Sequence, residues 1–356
     1  MNEPRLYRAL EALPGLHAAD AADAWQQVLT RSPICSALHF SLGGLKLRLE
    51  VVGEALARRL FSALRHREIA APAHSDLNLH VWDARAAGLP FPSLAMQRLH
   101  EENEQGLLRH LSDSRHLALR DSWLGLRAAI DDHKGAAWIA YDDDALIPEF
   151  EHTAPLRNVL QLLMSSRGWH LMHAAMIGKG ERALLLAGAG GSGKSTTACT
   201  ALLAGWGYGA DDLCLFNETS TAVESLYQTV KLREGGLARL DEMRGLLHEY
   251  DECEERKAYL FVSQQWPERV LRNAQVSALL VPVVVDADAS SLAPLDWRQG
   301  LAAVLPWTRR TVRTCGPRSQ VALMAALRRY PVYSLRLGRH RDSVLATLDQ
   351  ALQLTP

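Results

Sequence analysis

The chain has 356 residues, which predicts two domains, because a single domain commonly holds about 100–200 residues. Hydrophobic residues make up 48% and charged residues 22%, which is ordinary usage for soluble globular proteins and excludes a disordered or fibrous chain. The 39 basic and 40 acidic residues leave a formal charge of −1, so no overall field would attract nucleic acid or an anionic membrane, and we expect neither as a partner.

The N-terminal residues, MNEPRLYRALEALPG, have the pattern of an amphipathic helix through Leu6, Leu10 and Leu13 and lack the apolar core of a signal peptide. The five cysteines are scattered and form no CxxC pair, which favours reduced thiols over disulfides or a zinc site. The most apolar run, VSALLVPVVV from Val276, is shorter than the roughly 20 residues of a membrane span. We therefore expect a cytoplasmic protein in which this run is a buried strand.

Residues 1–150 have the pattern of a strand-rich α+β domain. Two alternating segments flank Gly43-Gly44, a dipeptide typical of a tight hairpin because glycine accepts positive φ. A helix with a leucine stripe is expected at 53–66, and further strands are expected up to Asp142. No catalytic pattern is evident here, and recognition of an extended substrate along a free strand edge is the hypothesis for this domain.

The acidic, proline-bearing run YDDDALIPEFEHTAP (141–155) marks the predicted domain boundary. Residues 151–356 then alternate short apolar strands with helices, which predicts an α/β domain. We expect a helix at 155–167 and one strand over WHLMHAAMI. The last expected elements are a helix at 317–330, the strand VYSLRL and a helix from about Arg341.

The segment after the strand ALLLAG matches G-x-x-x-x-G-K-[ST], the P-loop. Its glycines let backbone N–H groups form a nest around phosphate oxygens, and the helix expected from Lys194 to Ala204 directs its positive end at the same charge. Lys194 adds a cation, and the Ser195 hydroxyl is placed to ligate Mg²⁺. The strand before the loop and the helix after it argue against a chance match. The predicted nucleotide-binding residues are Gly188, Gly190, Gly191, Ser192, Gly193, Lys194, Ser195 and Thr196.

Two adjacent carboxylates, Asp211 and Asp212, follow in YGADDLCLF, on or beside the next strand. Neighbouring side chains on an extended backbone point to opposite faces, so the pair can divide its work between a metal ion and an attacking hydroxyl. A solvated turn formed by GADD is the alternative that the residues leave open.

The order HAAMI, then G-x-x-x-x-G-K-S, then ADD resembles the catalytic domain of HPr kinase/phosphorylase and of related kinases, including those that phosphorylate lasso peptide precursors. The resemblance covers about residues 165–356 and depends on the three motifs together. It implies a P-loop domain with the fold of the HPr kinase C-terminal domain, shared with phosphoenolpyruvate carboxykinase and preceded here by the smaller α+β domain. It also implies ATP, Mg²⁺, a serine acceptor and, because the family is often hexameric, a homo-oligomer.

By this resemblance, His173 lies near the transferred phosphoryl group, Lys194 binds phosphate and Ser195 ligates the metal. Asp211 and Asp212 match the acidic pair that supplies a metal contact and the base that deprotonates the acceptor. The resemblance does not separate these two roles; we favour Asp212 as the base and Asp211 at the metal. Without the resemblance, the two histidines of HLMH (170–173) are more typical of strand packing than of a ligand pair.

The sequence departs from the family at one signature. HPr kinase/phosphorylase has glutamate-isoleucine-arginine-glycine in a later strand and loop, where this chain has VKLREGG. Lys231 occupies the position of the family's glutamate, and Arg233 matches the family's arginine. The substitution argues against the phosphorolysis reaction and makes both residues candidate contacts for phosphate or an anionic substrate. The alternative, which the residues support equally well, is that Lys231 and Arg233 are simply charged side chains at a strand edge.

Together these features predict an Mg²⁺–ATP-dependent kinase that transfers the γ-phosphoryl group to a hydroxyl, favouring a serine of a peptide or small protein. A small-molecule alcohol as acceptor, a donor other than ATP, and an ATP-binding regulatory or assembly module with little turnover remain open. A GTPase or ABC-type ATPase is disfavoured, since the chain has neither an N-K-x-D nor an LSGGQ-like element. The arginines in RRTVRTCGPR (309–318) fit a solvated loop better than a docking patch.

Overall fold

The structure, a computed structural model, describes residues 16–32, 35–92, 107–111, 116–252 and 255–354. The helix predicted through Leu6, Leu10 and Leu13 lies outside these residues, as does Cys253. Within the described ranges, no helix has the length and apolar character needed to cross a membrane.

The chain divides into two compact units, residues 1–159 and 160–356. The division lies later than residue 150, where the sequence pattern changes, because the short helix after that point belongs to the first unit. Glu151 on this helix is fully buried, and its Oε1 accepts hydrogen bonds from the Tyr141 hydroxyl at 2.8 Å and from the Leu156 amide at 2.7 Å. The acidic run is therefore the end of the first unit rather than a linker.

The first unit is built on a seven-stranded sheet with the strand order β1-β2-β3-β7-β6-β5-β4. Strand β3 pairs in parallel with β2 and β7, and the other pairs are antiparallel. The helices of this part of the chain are α1 (Leu16–Arg31), α2 (Glu54–Phe61), α3 (Glu149–Thr153) and α4 (Arg157–Ser165), the last of which crosses the division. The strands are β1 (Cys35–Leu42), β2 (Leu45–Val52), β3 (Leu77–Asp83), β4 (Leu107–Leu111), β5 (His116–Asp121), β6 (Leu126–Asp131) and β7 (Ala136–Tyr141).

The hairpin predicted around Gly43-Gly44 is confirmed. Leu42 pairs with Leu45, so the two glycines form the whole turn, with φ of 60° and 77°. Two successive positive φ values are the requirement of the hairpin turn whose twist matches that of the flanking strands. This local rule fixes the register of β1 on β2.

The second unit combines a nine-stranded sheet with a separate three-stranded sheet. Its helices are α5 (Lys194–Leu203), α6 (Glu234–Leu237), α7 (Val262–Gln265), α8 (Trp297–Thr311), α9 (Pro317–Leu327) and α10 (Arg341–Leu352). Its strands are β8 (Trp169–Met172), β9 (Ala175–Lys179), β10 (Arg182–Leu186), β11 (Gly207–Ala210), β12 (Cys214–Asn217), β13 (Ala222–Ser225), β14 (Thr229–Arg233), β15 (His248–Glu252), β16 (Glu255–Phe261), β17 (Asn273–Val284), β18 (Ser291–Leu295) and β19 (Val332–Leu337).

The larger sheet is buried on both faces, because alternate residues of its strands join two different cores. Leu184 and Leu186 of β10 pack in the core that holds α5 and α10, whereas Ala183 and Leu185 pack in the core that holds α8 and α9. The sheet order is β11-β9-β10-β17-β13-β12-β8, with β19 paired in parallel to the second half of β17. Helices α5 and α8 therefore lie on opposite faces of the sheet.

The single strand predicted over WHLMHAAMI is wrong, and YGADDLCLF is likewise two strands. In each segment the first half and the second half belong to opposite ends of the strand order, so the chain must bend between them. Met172 pairs with Cys214 before one break, and Met176 pairs with Ala210 after it. The two breaks thus face each other, and periodicity does not reveal them because apolar residues continue through both.

Candidate functional site

A glycine-rich loop, residues 187–193, joins β10 to α5. Gly188, Gly191 and Gly193 have φ of 151°, 80° and 103°, a region that residues with a side chain rarely adopt. A Cβ on Gly193 would also lie 2.6 Å from the Leu337 Cδ1 atom. The backbone conformation therefore favours glycine at this position, and a methyl group would in addition require the Leu337 side chain to shift. The strand–loop–helix context predicted from the sequence is present.

Lys194 is the first residue of α5, and its side chain lies inside this loop. The residue is 7% exposed, and its Nζ donates hydrogen bonds to the carbonyl oxygens of Gly188 at 2.8 Å and Ala189 at 3.0 Å. Burial lowers the pKa of the ammonium, and the charges of Asp211 and Asp212 act to raise it. The cation is held at the start of a helix, where the helix dipole also favours anions.

Asp211 lies in the break after β11 and is 1% exposed. Its Oδ2 accepts a hydrogen bond from the Lys231 amide at 3.0 Å, while its Oδ1 is buried without a partner among the described residues. Burial first, and the charge of Asp212 second, raise the pKa of Asp211, and hydrogen bonds from the Ser195 side chain and the Lys231 amide oppose this rise. A buried carboxylate oxygen with no donor is costly for the fold and marks a position suited to a cation.

Asp212 is more accessible, with its side chain 35% exposed, and pairs with the ammonium of Lys231, whose side chain is 19% exposed. The distance from Lys231 Nζ to Asp212 Oδ2 is 2.6 Å. Burial acts to raise the pKa of Asp212, but the Lys231 charge, followed by that of His173, outweighs it, so the pKa is lowered. Asp212 is therefore an ionised carboxylate whose partner is a cation from the separate sheet.

His173 lies in the break opposite the aspartates, between β8 and β9. Its amide donates to Thr308 Oγ1 at 3.0 Å, and its Nδ1 lies 3.3 Å from Thr311 Oγ1, so helix α8 holds the residue at two points. Burial lowers the pKa of the imidazole to about 4; the charge of Asp212 opposes this shift and those of Lys194 and Lys231 add to it. The ring is neutral at physiological pH.

His170, the other histidine of HLMH, does not join this group. Its ring is fully buried, with Nδ1 3.0 Å from Ser319 Oγ and Nε2 3.0 Å from Glu218 Oε2. It packs between helix α9 and the end of β12, as expected of a strand-packing residue.

Arg233 approaches the same loop from β14. A Cβ built on Gly190 would lie 3.8 Å from its Nη2 atom, and its charge lowers the pKa of Lys194. Thr196 on α5 faces the start of α6, with its Oγ1 3.5 Å from a Cβ built on Gly236. Arg233 therefore borders the glycine-rich loop, whereas Lys231 pairs with Asp212.

The structure brings the predicted residues together from elements far apart in the chain: Lys194 and Ser195 from α5, the aspartate pair from one strand break, and His173 from the other. Sequence reasoning missed Thr308 and Thr311, because hydroxyls on an amphipathic helix carry no catalytic pattern.

A cleft of about 420 Å³ adjoins the glycine-rich loop on the side that faces α8. Its polar component includes the buried Oγ of Ser192, which has no hydrogen-bond partner among the described residues. The other side chains that line the cleft are predominantly apolar. The lining residues are Gly188, Ala189, Gly191, Ser192, Val281, Pro282, Val283, Val284, Ala302, Ala303 and Trp307.

No family model and no curated protein matches the chain. Among solved structures, the chain is similar to the HPr(Ser) kinase/phosphatase from Coxiella burnetii, with 9% sequence identity and a TM-score of 0.25. The match covers 50% of this chain and 92% of that chain. This is a distant structural relationship, too low in similarity to carry an argument about activity.

Proposed function

We propose that this protein is an Mg²⁺–ATP-dependent kinase that transfers the γ-phosphoryl group to a hydroxyl, with a serine of a peptide or small protein as the favoured acceptor. The observation that carries the proposal is the position of Asp211: a buried carboxylate hydrogen-bonded to the Ser195 side chain, whose Oδ1 atom has no partner among the described residues. It lies next to the glycine-rich loop that holds Lys194. The order of the three sequence motifs supports placing the protein with the HPr-kinase-like serine kinases.

The loop and Lys194 are suited to the donor phosphates. Backbone N–H groups of such a loop form an anion nest, and the lysine reaches the β- and γ-phosphates. To contact phosphate, the Lys194 ammonium must exchange its bonds to the Gly188 and Ala189 carbonyls for bonds to phosphate oxygens.

The residues fit a magnesium ion. Asp211 Oδ1 and the Ser195 hydroxyl are hard oxygen ligands of the type that Mg²⁺ prefers. Bound there, the ion would neutralise charge on the donor phosphates.

Asp212 and His173 are suited to the acceptor side. Asp212 accepts the acceptor's proton, and a carboxylate suffices as base because transfer proceeds through a loose transition state. His173, neutral and held by Thr308 and Thr311, offers a hydrogen bond to the transferring group without adding charge. Lys231 and Arg233 would offset negative charge on the phosphoryl group.

A nucleotide-binding module with little turnover is the second candidate, and the Lys231–Asp212 ion pair favours it. A carboxylate whose pKa is lowered by a cation at 2.6 Å is a weaker proton acceptor. In the kinase proposal this pair opens when donor phosphate competes for Lys231.

The test measures two quantities on the purified protein: ATP affinity with Mg²⁺, and transfer of γ-label from ATP into a lysate of the source organism, separated by size. Lys194→Met should lose most of the affinity, and Asp212→Asn should keep the affinity but lose transfer. Matched controls are Lys134→Met and Asp286→Asn, whose side chains are 71% and 87% exposed.

Label on a peptide or small protein, lost in both site variants, supports the serine-kinase proposal. Label on a metabolite replaces the acceptor with a small-molecule alcohol. If the protein binds ATP but transfers no label, the nucleotide-binding module is the candidate that remains. If Lys194→Met does not change the ATP affinity, the whole proposal is contradicted.

A further inference from the structure

The cleft between the glycine-rich loop and helix α8 shares one wall with the proposed phosphate-binding loop, and the rest of its lining has no role in the chemistry described so far. Its volume of about 420 Å³ is within the range of roughly 300–1,000 Å³ typical of small-ligand sites. Its side chains include three valines, two alanines and Trp307, and its loop side is formed by Gly188, Ala189, Gly191 and Ser192.

The cleft adjoins the part of the loop where the γ-phosphoryl group belongs. A lysine in this position reaches the β- and γ-phosphates, and Lys194 Nζ lies against the carbonyls of Gly188 and Ala189, both of which line the cleft.

The direction of attack also points to this side. In phosphoryl transfer, the attacking and leaving oxygens lie roughly in line through phosphorus. If the donor phosphates bind at the N-terminus of α5, as the proposed function requires, the acceptor approaches the γ-phosphorus from the side away from α5. Helices α5 and α8 pack on opposite faces of the sheet, and the cleft lies between the loop and α8.

Helix α8 connects the cleft to the catalytic residues. Trp307 and Ala303 line the cleft, and Thr308 and Thr311 on the same helix hold His173. Trp307 and Thr311 are one turn apart, so they lie on one side of the helix. A group in the cleft would sit beside the residues that we place on the acceptor side.

The cleft also offers backbone hydrogen bonds. Strand β10 ends at Leu186, which pairs with Leu280, whereas β17 continues to Val284 with β19 on its other edge only. Residues 281–284 therefore have one edge without a partner strand among the described strands. An extended peptide can bind such an edge through main-chain hydrogen bonds and place alternate side chains in pockets. Pro282 has no N–H, so at that residue this edge offers a carbonyl acceptor and no donor.

From these features we infer that the cleft binds the acceptor as an extended peptide whose bulky apolar side chain, next to the phosphorylated serine or threonine, fills the space between Val281, Val283 and Trp307. The inference depends on the proposed kinase function. It assigns acceptor specificity to apolar contact in this cleft, whereas Lys231 and Arg233 serve the phosphoryl group.

The test uses the full chain with Mg²⁺ and γ-labelled ATP on a peptide library with one fixed serine, in which each flanking position is set in turn to one residue type. At one flanking position, leucine or phenylalanine should be labelled at least about tenfold faster than aspartate or lysine. Ala303→Phe fills the cleft and should remove this preference while leaving ATP affinity within about twofold. Ala302→Phe, at an exposed lining position, provides a second variant with less risk to folding, and Val321→Phe, on an exposed position of α9, is the matched control.

Several results overturn the inference. These are a preference for charged flanking residues, an apolar preference that survives both filling variants, labelling of no peptide at all, or a loss of ATP affinity in both filling variants, which would assign the cleft to the nucleotide. Failure of the proposed function looks different, because the wild-type protein would then transfer no γ-label to any acceptor in the lysate either, would not bind ATP, or would bind it independently of Lys194.

Discussion

Lys231 contacts both members of the aspartate pair with different groups: its amide donates to Asp211 Oδ2 at 3.0 Å, and its ammonium lies 2.6 Å from Asp212 Oδ2. The backbone contact fixes the carboxylate that we assign to the metal, and the side-chain contact neutralises the one that we assign as base. A single residue of the three-stranded sheet thus contacts both carboxylates and lowers the pKa of each.

We expect Lys231→Met to raise the pKa of Asp212, because the largest influence lowering it is the Lys231 charge. In the pH profile of kcat/KM, which reports the free enzyme in which this pair is closed, the acidic limb should move to higher pH, whereas Lys231→Arg should leave it near that of the wild type. The amide contact to Asp211 is retained in both variants. An unchanged acidic limb in Lys231→Met would contradict the assignment of Asp212 as base.

Asp211→Asn should stabilise the ligand-free protein, because it removes a buried charge whose Oδ1 has no partner among the described residues. We expect the midpoint of thermal unfolding to rise by about 2–4 °C. The same variant should lose the further stabilisation that Mg²⁺–ATP gives the wild type, since the cation ligand is gone. Asp286→Asn serves as control, and a drop in the ligand-free midpoint would show that Asp211 stabilises the fold.

Gly193→Ala should cost roughly 2–4 kcal/mol of unfolding free energy, because it combines a φ of 103° with a Cβ 2.6 Å from Leu337 Cδ1. Gly180→Ala is the matched control: its φ is 58° and no atom lies within 4 Å of its Cβ, so it should cost about 1 kcal/mol. Urea denaturation measures both. Equal costs would mean that the loop relaxes around the methyl group.

The neutral state of His173 predicts a pH dependence of stability. The folded protein holds its pKa near 4, below the value of about 6.5 in an unfolded chain, so the unfolded state binds the extra proton first. His173 alone should therefore lower the free energy of unfolding by about 1–2 kcal/mol between pH 7 and pH 5. Asp211, whose pKa burial raises to about 7, acts in the opposite direction over the same range, so the His173 contribution is the difference between the wild type and His173→Gln. The comparison of urea titrations of both proteins at the two pH values measures it.

The elements set by local rules could be predicted from the sequence. The Gly43-Gly44 hairpin, strand VYSLRL at Val332–Leu337 and the strand–loop–helix around Lys194 depend on turn chemistry and short-range periodicity, and all are present. The breaks at His173 and at Asp211 could not be predicted, since they depend on which strands pair at the two ends of the sheet. The ion pair between Lys231 and Asp212 joins residues 19 positions apart and follows from the packing of a second sheet.

The residues of the candidate site likewise include some that the sequence predicts and some that it does not. Lys194 and Ser195 are positioned by a motif that is legible in the sequence, whereas Thr308, Thr311 and Trp307 come from a helix whose pattern indicates only that one face is buried. The part of that helix that borders the candidate site is defined by its hydrogen bonds to His173 and by the cleft that it lines together with the loop.

The facing breaks between β8 and β9 and between β11 and β12 constrain insertions and deletions. Met172 and Met176 are each paired in a ladder, so removing one residue between them would turn the side chains of one strand to the opposite face. We therefore expect the protein to tolerate a substitution of Ala174 better than a change in the length of this break. A one-residue deletion there should abolish folding, whereas a substitution at Ala174 should not.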